Sequence, residues 1–144
     1  MIEQDYILKI LQEFFEAIAK VVRRSDEDDE AATADMQARY NAIYEHFFRC
    51  PAHHFYEIEK EDLLNDLWTE NSEQKALAKM RMLSELLYRD ALIKKESSLR
   101  YDLLEKALLL LEFLQQNSKT YSWDQKVWPN VLCSHAHRSP DRPG

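Results

Sequence analysis

Residues 97–116 read Ser97-Ser98-Leu99-Arg100-Tyr101-Asp102-Leu103-Leu104-Glu105-Lys106-Ala107-Leu108-Leu109-Leu110-Leu111-Glu112-Phe113-Leu114-Gln115-Gln116. Leu99, Leu103, Ala107, Leu110, Leu111 and Leu114 recur at the three-and-four spacing of an α-helix. Leu104, Leu108 and Leu109 widen that face almost to the whole circumference. A helix apolar nearly all round belongs at the centre of a bundle. The stretch therefore predicts a central helix, capped by Ser97 or Ser98, in an all-α fold.

The rest of the chain agrees with that reading. Its 144 residues contain one glycine, Gly144, and four prolines, at positions 51, 129, 140 and 143. Residues 1–50 and 52–128 hold neither breaker. Without glycine there is no phosphate-cradling loop and no nucleophile elbow, because both need backbone that approaches a ligand closely. The Asn-Gly, Asp-Gly and Gly-X turns of tight hairpins are missing too.

Working outward, a first helix is predicted over residues 3–24. Its apolar residues form two adjacent seams. One is Ile7, Ile10, Phe14, Ala17 and Val21; the other is Leu8, Leu11, Phe15, Ile18 and Val22. Together they make an arc wider than one neighbouring helix covers. The second seam is the candidate interaction face, either for another helix of this chain or for a second copy in a homodimer. Ser25 to Glu30 is an acidic turn that lacks the glycine and the spacing of a calcium loop.

A second helix is expected from Thr33 to Arg49, with Met36, Tyr40, Ile43, Tyr44 and Phe47 inward. Pro51 disfavours helical backbone at Cys50 and ends it. A loop rich in histidine and aromatic residues follows to Ile58, then a short helix over 59–68. Asn71 or Ser72 caps a helix that runs to Lys95, and Asn71-Ser72-Glu73-Gln74 has the form of a capping box. After the central helix, Ser122-Trp123-Asp124-Gln125 is a second such match, cut short by Pro129. Tyr121, Trp123 and Trp128 are expected to tie this segment back onto the preceding two helices. The expected architecture is a single domain over 1–132, an antiparallel helical bundle or stacked hairpins. It has five main helices and a short C-terminal element, and residues 133–144 are read as a flexible tail.

Charge and cysteine content narrow the function. A net charge of −7 disfavours nucleic-acid binding, which rests on clustered Lys and Arg. Arg23-Arg24 and Lys94-Lys95 fall where helices end, and cations there complement the helix dipole. No apolar run approaches the roughly 20 residues of a membrane span. The acidic opening Met1-Ile2-Glu3-Gln4-Asp5 does not read as a secretory leader. A cytoplasmic protein with Cys50 and Cys133 reduced is expected.

The chain's chemistry-bearing side chains fall in two groups. His46, Cys50, His53 and His54 lie within one helix end and the loop after it, and these are candidate zinc ligands. Cys133, His135 and His137 form the second group. A Cys50–His46 nucleophile pair is disfavoured, because thiolates are stabilised at helix N-termini and Cys50 follows a C-terminus. The carboxylates on the helices read as solvated faces, and no Glu-x-x-His pair of the di-iron type is found. No catalytic residue or cofactor is expected. The leading reading is a non-catalytic helical protein-interaction or scaffold module that self-associates. The alternative is a zinc-binding protein using His46, Cys50, His53 and His54.

Two resemblances bear on this. Leu104 with Glu105-Lys106-Ala107-Leu108 is similar to the close of a tetratricopeptide repeat, implying a helical hairpin over about 40 residues, with a protein partner as that repeat's usual ligand. Gln4-Asp5-Tyr6-Ile7-Leu8, Phe14-x-x-Ala17-Ile18, Leu86-Leu87-Tyr88, Glu105-Lys106-Ala107-Leu108 and Thr120-Tyr121-Ser122-Trp123 resemble a family of small bacterial helical proteins with no assigned activity. That likeness implies an all-α fold and a bacterial cytoplasmic origin, and it carries no site.

Overall fold

The computed structural model describes residues 2–23, 30–68 and 72–117. The acidic turn after Arg24, Asn71, the Ser122 capping box, the aromatics Tyr121, Trp123 and Trp128, the Cys133–His137 group and the proposed tail lie outside the described residues. Six α-helices and no strand are present among those described: α1 (Ile2–Arg23), α2 (Glu30–Ile43), α3 (Ala52–Glu57), α4 (Lys60–Leu67), α5 (Glu73–Leu92) and α6 (Ser97–Asn117). The all-α bundle expected from the sequence is the architecture observed. Within the same residues no helix is long and apolar enough to cross a membrane.

The centre of the bundle is α5, not the leucine-rich α6. α5 packs along α6 and also touches α1, α2 and α4. Every residue from Ala76 to Leu87 except the half-buried Lys79 is buried, including Arg81, Ser84 and Glu85. α6 buries Leu103, Ala107, Leu110, Leu111 and Leu114 but leaves Tyr101 and Leu108 exposed. Apolar content predicts how much a helix can bury; how many neighbours surround it is set by chain topology. α5 sits between the N-terminal helices and α6, so even its charged residues are enclosed.

In α1 the buried line is Ile7, Leu11, Phe14, Ile18 and Val21, which draws from both predicted seams. Leu11 and Ile18 belong to this chain's own core and offer nothing to a second subunit. Leu8 is 37% exposed, and Phe15 and Val22 are half-buried at the edge of the core.

The second helix departs from its prediction in one register-changing detail. α2 runs into a π-helical turn over Tyr44–Phe48. The i→i+5 bond accommodates one extra residue per turn. The inward position therefore moves from Phe47 to Phe48, which is buried while Phe47 is half-buried. Phe14 of α1 meets both rings edge-on, at 5.3 and 6.3 Å between centroids. The helix ends at Arg49, which adopts left-handed backbone with φ 61° and donates its N–H to Glu45 O at 3.1 Å. That position usually carries glycine; here arginine fills it.

Residues 52–57, expected as loop, form α3. Pro51 has extended backbone (ψ 158°) and stands as the residue before the first turn. A proline that ends one helix can thus begin the next, since its ring obstructs only the residue before it. Ser72 caps α5 as expected, with Lys75 N donating to its Oγ at 3.3 Å. α6 starts one residue earlier than a serine cap requires, since Arg100 N donates to Glu96 O.

Candidate functional site

A six-residue helix such as α3 is too short to persist alone. Its contacts hold it and also create the most organised polar cluster among the described residues. Phe55 is buried, stacked on Tyr44 at 5.8 Å and edge-on to Phe48 at 5.8 Å. The next residue, Tyr56, turns its hydroxyl toward Asp90 of α5.

Asp90 has no solvent exposure. Its Oδ2 accepts from Tyr44 Oη at 2.7 Å and from Tyr56 Oη at 2.5 Å. Its Oδ1 lies 3.1 Å from Lys94 Nζ, an ion pair without hydrogen-bond alignment. Lys94 Nζ in turn donates to Gln37 Oε1 and sits 4.6 Å from the centre of the Tyr56 ring. Gln37 Nε2 donates to Tyr56 Oη and to Asn41 Oδ1. The cluster thus joins α2, the π-turn, α3, α5 and the turn after α5. A buried charge is tolerated only with such partners.

The electrostatics follow from this geometry. Burial is the main reason that Tyr44 and Tyr56 hold their protons well above the usual tyrosine range; the adjacent Asp90 charge adds to it. Burial also pushes Tyr40 up to about 12, against the opposing pull of Arg89. Hydroxyls that stay protonated are not nucleophiles. Chemically the cluster is a lock. Its outer edge, with Gln37, Asn41, Glu45, His53, Tyr56 and Lys94, lines an open cleft of about 420 Å³.

A second lock stands on the other side of α3. Lys106 of α6 is fully buried, and its Nζ donates to the carbonyls of Phe55 at 2.9 Å and Tyr56 at 3.1 Å. Asp102 Oδ2 lies 2.8 Å from the same nitrogen. A cation on the last carbonyls of a helix satisfies acceptors that have no intrahelical partner.

The four predicted zinc ligands are placed with separate neighbours. His46 is exposed and edge-on to Phe47. Cys50 is a half-buried free thiol, and burial followed by the charge of Asp66 raises its pKa. His53 lines the cleft, whereas His54 Nε2 lies 3.2 Å from Asp66 Oδ2. No group of three or more His, Cys, Asp or Glu side chains suited to a metal ion occurs among the described residues. The α3 helix explains this difference from the expected cluster: in a helix consecutive residues point about 100° apart, so His53 and His54 diverge.

Asp90, Tyr56, Gln37 and Lys106 carry no site reading from the sequence, and Lys94 is read there only as a cation at a helix end. A signal exists for two of them. Asp90 follows Leu83, Leu86 and Leu87 at helical spacing, and Lys106 falls between Leu103 and Leu110. A charge on an apolar stripe is a candidate buried partner. The identity of that partner, however, requires the tertiary arrangement.

Compared with family models, curated proteins and solved structures, the chain has no match. The class that fold and site define is an all-α bundle whose polar centre braces a short internal helix.

Proposed function

We propose that this chain is a non-catalytic helical interaction module that associates with a second copy of itself along the outer edge of α1. The observation that carries this reading is the partly exposed apolar edge of α1. Leu8, Phe15 and Val22 follow one another at intervals of seven residues. They form a line beside the buried stripe, with Leu8 exposed and the other two half-buried. Such a line is what one helix presents to another in a coiled-coil contact. Covering the edge would remove apolar surface from water at about 25 cal/mol per Å².

The non-catalytic part of the reading is supported by the polar groups whose pKa values are displaced. Tyr40, Tyr44, Tyr56 and Cys50 all move toward their neutral, unreactive forms. The reading also favours a reducing, cytoplasmic setting, in which Cys50 remains a thiol. Light scattering on the purified chain at micromolar concentration tests the proposal. The expected mass is that of a dimer, falling to a monomer in Leu8→Glu with the far-ultraviolet circular dichroism unchanged. A monomeric parent chain overturns it.

A further inference from the structure

The apolar surface between α4 and α6 is independent of α1. The two helices are bridged at one end by Lys60 and Glu105, 3.5 Å apart, and at the other by Trp68 edge-on to Phe113 at 5.8 Å. Both bridges ascend the chain together, so α4 runs parallel to this part of α6. The distance between them is eight residues on each helix, or about 12 Å of helix, a little over two turns. Within this span lies an open groove of about 280 Å³ whose lining includes Leu108 and Leu109. Leu108 is 48% exposed and Trp68 40% exposed. Leu108 and the half-buried Leu109 are the apolar part of the lining, and Trp68 stands at the far bridge, so exposed apolar surface continues from the groove toward the end of α4.

The rim of this groove is acidic. Glu61 and Glu112 line it and are exposed. Glu57 and Glu59 continue the exposed acidic edge into the adjoining depression. The cations nearby are already engaged, Lys60 with Glu105 and Lys106 with α3 and Asp102. A second copy would bring like charge against like charge here, in a chain whose net charge is −7. The complementary occupant carries apolar residues flanked by cations and spans about two helical turns.

We propose that the α4–α6 groove binds a basic amphipathic helix of a protein partner, with leucine-like side chains against Leu108 and Leu109, lysines or arginines against Glu61 and Glu112, and its end reaching Trp68 at the far bridge. This goes beyond the α1 contact and does not depend on it.

The probe is a synthetic helical peptide with leucines on one face and lysines on the other, compared with the same peptide carrying glutamates for lysines. Trp68 is one of three tryptophans, so its fluorescence can be isolated in the full-length chain with Trp123→Phe and Trp128→Phe. The expected result is a saturable change with the lysine peptide only, weakened by added salt. Leu108→Ser, at an exposed position that does not hold the core, should weaken binding about tenfold. Glu61→Lys with Glu112→Lys should reverse the preference toward the glutamate peptide. Equal responses to the two peptides, indifference to Leu108→Ser, or no response of the full chain would overturn the proposal. Leu8→Glu leaves the peptide response unchanged, so the two surfaces are tested separately.

Discussion

Asp90 shows how much one residue can determine. With no exposure and three partners, it holds α2, α3 and α5 in one arrangement. Asp90→Asn keeps the shape but leaves Lys94 without its counter-charge. Breaking a buried pair in this way should cost about 3 kcal/mol, the lower end for such pairs, since Lys94 reaches the cleft. The urea midpoint should fall accordingly. The tyrosines around it give a pH signature. Their folded pKa values are raised, so above about pH 10 the unfolded chain loses phenolic protons that the native chain keeps. Stability contributed by Tyr40, Tyr44 and Tyr56 is therefore complete below that pH and declines as pH rises above it. Unfolding measured between about pH 9 and pH 11 should show this decline, and Tyr44→Phe should make it shallower. Arg49 makes the opposite case, a residue held in left-handed backbone. Such backbone costs an L-residue about 1–2 kcal/mol, and glycine returns part of that through its larger unfolded-state entropy. Arg49→Gly should stabilise the chain by about 0.5–1 kcal/mol, read as a higher urea midpoint at unchanged slope.

At the scale of elements, α3 depends on what surrounds it. Phe55 anchors it from within, the Tyr56 hydroxyl ties one side and Lys106 holds its final carbonyls. Lys106→Met fills the same volume without the donor. A buried carbonyl, Phe55 O, and a part-buried one, Tyr56 O, then lose this donor, at a cost of about 2–3 kcal/mol. Hydrogen exchange should show faster opening in residues 52–57, with α1 protected as before. Much of this layer was legible beforehand. The periodicities of α1, α4, α5 and α6, the Ser72 cap and the break at Pro51 each follow from side-chain spacing or backbone sterics. The π-turn was not legible, because its extra residue is stabilised by Phe48 reaching Phe14 and Phe55, a contact between distant parts of the chain. Nor was α3, whose two histidines and two aromatics have no helical stripe long enough to detect.

At the scale of the molecule, one apolar cluster connects every helix from α1 to α6. Phe14 lies within it with no exposure, touching Phe15, Phe47 and Phe48. Phe14→Ala should cost about 3–5 kcal/mol, a large share of the 5–15 kcal/mol that holds a typical domain. The loss should appear in a single transition. Circular dichroism and tryptophan fluorescence should report the same lowered midpoint, since helices that share one core unfold together. The two proposed surfaces, the edge of α1 and the acid-rimmed groove of α4 and α6, lie outside this core.

The sequence by itself determined that the chain is helical, where four long segments lie and which stripes face inward. Those properties depend on intervals of three and four residues and on the near-absence of glycine, both of which are local. Only the tertiary structure decided that α5 rather than α6 is central, that Leu11 and Ile18 are core rather than interface, and that His46, Cys50, His53 and His54 part company. It also decided that Asp90 and Lys106, charged residues on apolar stripes, are the braces of the fold. Each of these depends on which side chains meet across long stretches of chain, and a buried charge is stable only where its partner arrives.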